Sequence, residues 1–157
     1  MSLKIEYALS INATPDVIWE VFHEIERWPR WDPAALQSAR WIKGEPWVKG
    51  SQFELKALKP MPLTLTPEIM DVATPVYVHV KGSGGGVTGE QFYIFKWDAE
   101  TRTTEMRTLQ EFSGMAISFF GGQAKGPILQ GIEHMFKQVK QEAEEIALGT
   151  GPNAPTA

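Results

Sequence analysis

The chain contains no cysteine in its 157 residues. That excludes a disulfide framework, a thiolate metal site and a thiol nucleophile. Blocks of like charge are also missing: Lys and Arg number 15 against 19 Asp and Glu, for a net charge of -4. The closest approach to a basic cluster, Arg27 and Arg30, has Glu24, Glu26 and Asp32 around it. Nucleic acid and anionic membranes require a basic stripe, so neither is an expected partner. No apolar run approaches the roughly 20 residues of a spanning helix, so no integral membrane segment is expected. Glu6 interrupts the apolar core that a signal peptide would need, which together with the absent cysteines points to a cytoplasmic protein.

Motifs for common chemistries are missing as well. The three histidines, His23, His79 and His134, have no metal-ligand spacing and read as exposed, so no metal and no cofactor are expected. The run Gly82-Ser83-Gly84-Gly85-Gly86 lacks the Lys-Ser/Thr and the helix of a phosphate loop, and reads as a flexible turn. There is no Gly-x-Ser-x-Gly elbow. Tyr93 and Glu133 are the remaining candidates for an acid or base, with a solvated surface position the plainer reading of Glu133.

What the chain does have is periodicity. Leu3, Ile5, Tyr7 and Leu9 alternate with polar or small residues, the period of a half-buried strand. Thr14 is a candidate N-cap, Pro15 suits the first helical position, and Ile18, Val21, Phe22 and Ile25 follow helical spacing, which predicts a helix over Pro15 to His23. Trp28-Pro29-Arg30-Trp31-Asp32-Pro33 breaks that helix into a second short turn. Strands are then expected at 39–43, 52–58, 63–72 with Pro67 as a bulge, 76–82, 88–97 and 103–113. Short connections between them imply an antiparallel meander. From Ile128 onward Leu129, Ile132, Phe136, Val139, Ala143 and Ile146 form the apolar stripe of a long C-terminal helix. The expected domain spans residues 1–147, with 148–157 as a disordered tail.

This order of elements, with Ile11-Asn12-Ala13-Thr14-Pro15-Asp16-Val17-Ile18-Trp19, Trp28-Pro29-Arg30-Trp31 and Phe112-Ser113-Gly114, resembles the START-related helix-grip superfamily, within it the polyketide cyclase/dehydrase and lipid transport group. The resemblance implies an α+β fold: a curved seven-stranded antiparallel sheet wrapped around the long C-terminal helix, with two short helices between the first two strands. It also implies a cavity between sheet and helix for a small hydrophobic ligand such as a lipid, polyketide or aromatic compound.

Strand alternation nominates residues for that cavity. Phe53, Leu55, Leu65, Val78 and Val80 face inward on the middle strands. Gln91, Tyr93 and Phe95 share one face of the next strand, though Phe92 and Ile94 make its other face apolar too and leave its inward side open; Met106, Thr108, Gln110 and Phe112 share one face of the last. Leu129, Ile132 and Phe136 come from the helix, and Phe119 from the segment before it. Gln91, Thr108 and Gln110 are then polar groups in an apolar interior, which either orient a ligand or bond one another. Met115 to Gly122 reads as a lid loop over the cavity, or as an earlier start of the long helix packed as core.

Three functions fit these residues: binding or transport of a hydrophobic molecule, a cyclase/aromatase or dehydratase on the same fold, or a chaperone- or quinone-linked interaction module with Trp41 and Trp47 as anchors. Five of the six tryptophans fall between Trp19 and Trp47, and most read as packing wedges between the short helices and the sheet, with Trp41 and Trp47 unassigned.

Overall fold

The computed structural model describes residues 2–149. Eight strands and four α-helices follow one another as β1 (Leu3–Ile11), α1 (Pro15–Phe22), α2 (Trp28–Trp31), β2 (Leu36–Lys43), β3 (Gln52–Ala57), β4 (Leu63–Leu65), β5 (Glu68–Ala73), β6 (Tyr77–Gly84), β7 (Val87–Asp98), β8 (Thr103–Ser113), α3 (Met115–Phe120) and α4 (Lys125–Leu148). Seven strands form one antiparallel path in the order β1-β8-β7-β6-β5-β3-β2, with the short β4 paired to β3. This is the curled helix-grip sheet, its apolar face turned toward α4.

Period-two alternation carries straight into the structure. Met106, Thr108, Gln110 and Phe112 are buried on β8, whereas Leu109 and Glu111 between them are exposed. Their register is continuous with both neighbours: β1 runs from Leu3 opposite Phe112 to Ile11 opposite Thr104, and Gln91 and Tyr93 lie opposite Gln110 and Thr108. Each concave-face side chain therefore sits in a row across three strands, which assembles the core and the site from the same residues.

Several boundaries differ from expectation. The strand expected over 63–72 is two strands, because the chain breaks pairing at Thr66-Pro67, where proline has no N–H for the ladder. The glycines at 82 and 84 are strand residues rather than a loop. A Cβ on Gly82 would lie 2.5 Å from the Pro67 Cα, and one on Gly84 1.8 Å from the Thr64 carbonyl oxygen, so they let β6 pass directly against the β4–β5 break. The turn itself is confined to Gly85 and Gly86, both at positive φ. Thr14 caps α1 only through its backbone carbonyl, which accepts from Ile18 at 3.1 Å, its hydroxyl making no cap bond. Leu148, expected in a tail, is the last residue of α4, and Gly149 caps it in the left-handed conformation. The remainder of the expected tail, 150–157, lies outside the described residues.

The tryptophans finish α1. Trp28 Nε1 donates to the Phe22 carbonyl at 2.8 Å and Trp47 Nε1 to the His23 carbonyl at 2.7 Å, satisfying two acceptors that a helix end leaves without partners. Their rings join Trp19, Phe22, Trp41, Phe53 and Phe95 in one cluster of edge-to-face and tilted pairs with centroids 5.0–6.3 Å apart. Trp47 is buried and Trp41 half-buried against it, so neither is the exposed anchor that an interaction module would use.

α4 is fixed at its C-terminal half. Phe136, Val139 and Ala143 have no exposed surface, and burial of side chains as large as Phe136 contributes roughly 1.5–3 kcal/mol each. Around them, Glu142 pairs with Arg27 and accepts from Trp31 Nε1, Lys140 Nζ reaches the Ser10 carbonyl at 2.7 Å, and the Asn12 N–H donates to Glu144 at 2.9 Å. Burial by itself would push the Glu144 carboxyl up, but the Asn12 N–H and the Lys140 ammonium outweigh it and hold the group below its ordinary value.

Candidate cavity between the sheet and the long helix

The N-terminal half of α4 does not close on the sheet. Between them lies a cavity of about 150 Å³, walled by Leu55, Ala57, Leu63 and Leu65 from β3 and β4, and by Val87, Gln91, Tyr93, Gln110 and Phe112 from β7 and β8. The helical side is Ile128, Gly131, Ile132 and Met135, and α3 closes one end with Ala116, Ile117 and Phe120. Trp28, Asp32, Ala35 and Leu36 complete it from the α2–β2 segment, with Lys59, Pro60 and Met61 from the β3–β4 connection.

Of the residues nominated from sequence, Leu55, Leu65, Gln91, Tyr93, Gln110, Phe112 and Ile132 line this space. Phe53, Val78, Val80, Phe95, Met106, Thr108 and Phe136 face the same interior but are packed shut elsewhere in the core. Leu129 is half-buried off the cavity wall. Phe119 is 84% exposed and points away from the site. The 115–122 segment is neither a loop nor the start of α4: it folds as its own helix, α3, followed by a short 3-10 turn at 121–124. Gly114 permits that turn of direction, at φ 108° and with no room for a Cβ, which would meet the Gly86 carbonyl at 2.3 Å. Ile117 alone of the large residues in α3 is buried; Phe119 instead packs on Phe120 at the surface.

Sequence reasoning missed Trp28, Asp32, Gly131 and the 59–61 connection. The small residues Ala35 and Gly131 were the available signal. A Cβ on Gly131 would sit 3.4 Å from Asp32 Oδ2 and 3.8 Å from the Ala35 Cβ.

The polar residues of the wall form a directed network. The Thr108 hydroxyl donates to the Phe92 carbonyl at 2.9 Å and so accepts from Gln110 Nε2 at 3.1 Å. Gln110 Nε2 also reaches the Tyr93 hydroxyl at 3.5 Å, and Gln110 Oε1 accepts from Gln91 Nε2 at 3.2 Å. The glutamines thus bond one another and Thr108 supports them from behind. Burial pushes the Tyr93 phenol well above its ordinary value, outweighing the bond from Gln110, so Tyr93 stays protonated and acts as a hydroxyl group rather than a base. The other ionisable lining residues are Asp32, 3.4 Å from His134 Nδ1, and the exposed Lys59. Glu133 is off the cavity and close enough to Tyr7 that its charge, after burial, pushes that phenol up. His79 is not free on the surface but stacks on Phe92 and bonds Glu90 at 2.7 Å, and the His23 ring bonds the Glu20 carbonyl at 2.8 Å. Among the described residues no cluster of His, Asp and Glu could hold a metal ion, and no helix is long and apolar enough to cross a membrane.

The family model described as polyketide cyclase / dehydrase and lipid transport matches residues 2–144. Among solved structures, the chain is similar to the aromatase/cyclase Zhui of Streptomyces sp. R1128 (13% identity, 94% of this chain and 96% of that one, TM-score 0.73). It is similar to a START superfamily protein of Mycobacterium smegmatis (14%, 90% and 97%, TM-score 0.70) and to the major latex-like protein 151 of Panax ginseng (15%, 90% and 97%, TM-score 0.69). No curated protein matches the chain in sequence.

Proposed function

The chain belongs to the polyketide cyclase / dehydrase and lipid transport family, and from that premise we propose that it binds one compact, largely apolar molecule between the sheet and α4, as a carrier or receptor rather than a catalyst. The observation that carries this is the cavity itself: mostly apolar, with a small cluster of neutral, mutually bonded polar groups on one wall and Asp32 and Lys59 on connecting segments. Such a space gains binding free energy from the area it takes out of water, at about 25 cal/mol per Å². Its volume of about 150 Å³ suits a single-ring body, since an apolar cavity of about that size holds benzene.

Catalysis has less support. Tyr93 is held protonated by burial, and the two other ionisable lining residues stand on connecting segments outside the glutamine row. Acid–base work requires a group able to exchange a proton within hydrogen-bond reach of the reacting atom.

The test is calorimetric and NMR titration with 4-ethyltoluene, a neutral single-ring probe, repeated on Ile132→Trp, in which an indole from α4 occupies the space. Saturable binding with shifts at Gln91, Ile132 and Ala116, abolished in the filled variant, is the expected result. Failure of the wild-type protein to bind any compact single-ring probe, or unchanged binding to a folded Ile132→Trp, overturns it.

A further inference from the structure

The polar wall of the cavity has a direction, and the direction specifies a chemical group. Its starting point is a backbone carbonyl that cannot reverse. Because Phe92 C=O only accepts, the Thr108 hydroxyl spends its hydrogen there and presents a lone pair to Gln110. Gln110 must then turn Nε2 toward Thr108 and Tyr93, which leaves Oε1 for Gln91. Gln91 can meet an oxygen only with its own Nε2, so its carbonyl Oε1 is left facing away from Gln110. Tyr93 accepts from Gln110, so its O–H hydrogen is also unspent. Neither Gln91 Oε1 nor the Tyr93 hydrogen has a protein partner among the described residues, and both residues line the cavity. Among the described residues no polar side-chain atom is left sealed in the core without a hydrogen bond, which places the free Gln91 oxygen at the accessible wall.

We infer that the ligand carries a single uncharged hydroxyl on a compact apolar body, accepting from the Tyr93 O–H and donating to Gln91 Oε1. One acceptor and one donor on the same small group is what a hydroxyl offers. A carbonyl could answer Tyr93 but not Gln91 Oε1, and an ammonium could answer Gln91 but not the Tyr93 hydrogen. A carboxylate would face the Gln91 oxygen with no cation in the glutamine row, the lining Lys59 and Asp32 both standing on connecting segments away from it. Unsatisfied buried polar groups cost free energy, so a wall built this way discriminates against an apolar ligand of the same shape.

The inference rests on the binding function proposed above, and the experiment separates the two. Calorimetric affinities are measured for 4-ethylphenol, 4-ethyltoluene and 4-ethylbenzoate against the wild-type protein, Tyr93→Phe and Gln91→Leu, each variant first checked for an unchanged near-ultraviolet spectrum and a cooperative melt. The expected result is 4-ethylphenol at least about tenfold tighter than 4-ethyltoluene, with 4-ethylbenzoate weakest. The preference for the phenol should shrink in each single variant. Equal or tighter binding of 4-ethyltoluene to the wild-type protein overturns the hydroxyl inference while leaving the cavity function standing. Tightest binding of 4-ethylbenzoate overturns it in favour of an acid. Failure of all three probes to bind overturns the binding function itself. The wild-type comparison decides the matter even if both variants misfold.

Discussion

Thr108→Val tests whether the glutamine row is directed as described. The hydroxyl of Thr108 is fully buried and makes two bonds, donating to Phe92 C=O at 2.9 Å and accepting from Gln110 Nε2 at 3.1 Å. Valine keeps the β-branched shape that suits β8 but removes both bonds. The Phe92 carbonyl retains ordinary strand surroundings; the Gln110 N–H facing Thr108 does not, and is left buried beside a methyl group. An orphaned buried donor costs about 1–3 kcal/mol, against which the new methyl returns part of its burial, for a net loss of about 2 kcal/mol. At this chain length that lowers Tm by about 4–8 °C. The partner in a double-mutant cycle is Gln110→Met, which removes the stranded donor. Thr108→Val together with Gln110→Met should be less destabilising than the sum of the two single changes by about 1 kcal/mol, because the second change cancels the penalty of the first. Denaturant unfolding gives all four corners of the cycle. If Thr108→Val lies within about 0.5 kcal/mol of wild type, or the two changes add, then Thr108 does not orient Gln110 and the direction assigned to Gln91 falls with it.

Gly131→Ala should stabilise the protein by up to about 1 kcal/mol, since helix interiors favour alanine and the new Cβ meets only Asp32 and Ala35 at 3.4 and 3.8 Å; a lower Tm would refute the spacing seen there. Gly84→Ala goes the other way, by about 3 kcal/mol, because its Cβ has the Thr64 carbonyl 1.8 Å away; equilibrium unfolding of a soluble variant at wild-type stability would show that β4 can move aside. Glu144 has its pKa lowered by folding, so it contributes stability that is present above the unfolded value and lost as pH falls through the folded one. Glu144→Gln should therefore flatten the loss of stability in the acid limb below the ordinary carboxylate range, and an acid limb identical to wild type would contradict this. Tyr93 has the opposite sign: its raised pKa makes its contribution complete below the unfolded value and lost as pH climbs above about 10. Absorbance titration should find one tyrosine ionising only together with alkaline unfolding, absent in Tyr93→Phe.

Strand residues of the site were readable because side chains alternate with a period of two, so that once Met106 and Phe112 are inward, Thr108 and Gln110 must be as well. Register then placed Gln91 and Tyr93 beside them. The helical side resisted the same logic. Ile132 and Phe136 lie on one stripe of α4, yet Ile132 lines the cavity and Phe136 is packed solid against Tyr7, ring centroids 5.4 Å apart. Which of them meets empty space depends on where along α4 the sheet curls away, a property of the whole fold rather than of the stripe. Likewise Trp47 looked unattached because its function, capping the end of α1 from 24 positions downstream, is a long-range contact. Phe119 differs from expectation for a related reason: an apolar residue near a cavity mouth covers it only where the place is open, and Ile117 already fills it.

The pairing of β1 with β8 sets an order in time. During synthesis residues 3–11 emerge first, but their ladder partner, residues 104–112, emerges only after every other strand. α4, the other wall of the cavity, is later still. A nascent chain halted before Lys125 would present Tyr7, Leu55 and Phe112 on an uncovered concave face, the kind of surface that draws chaperones or aggregates. The closing of α4 over the sheet is therefore the event that creates the chamber, and it comes last.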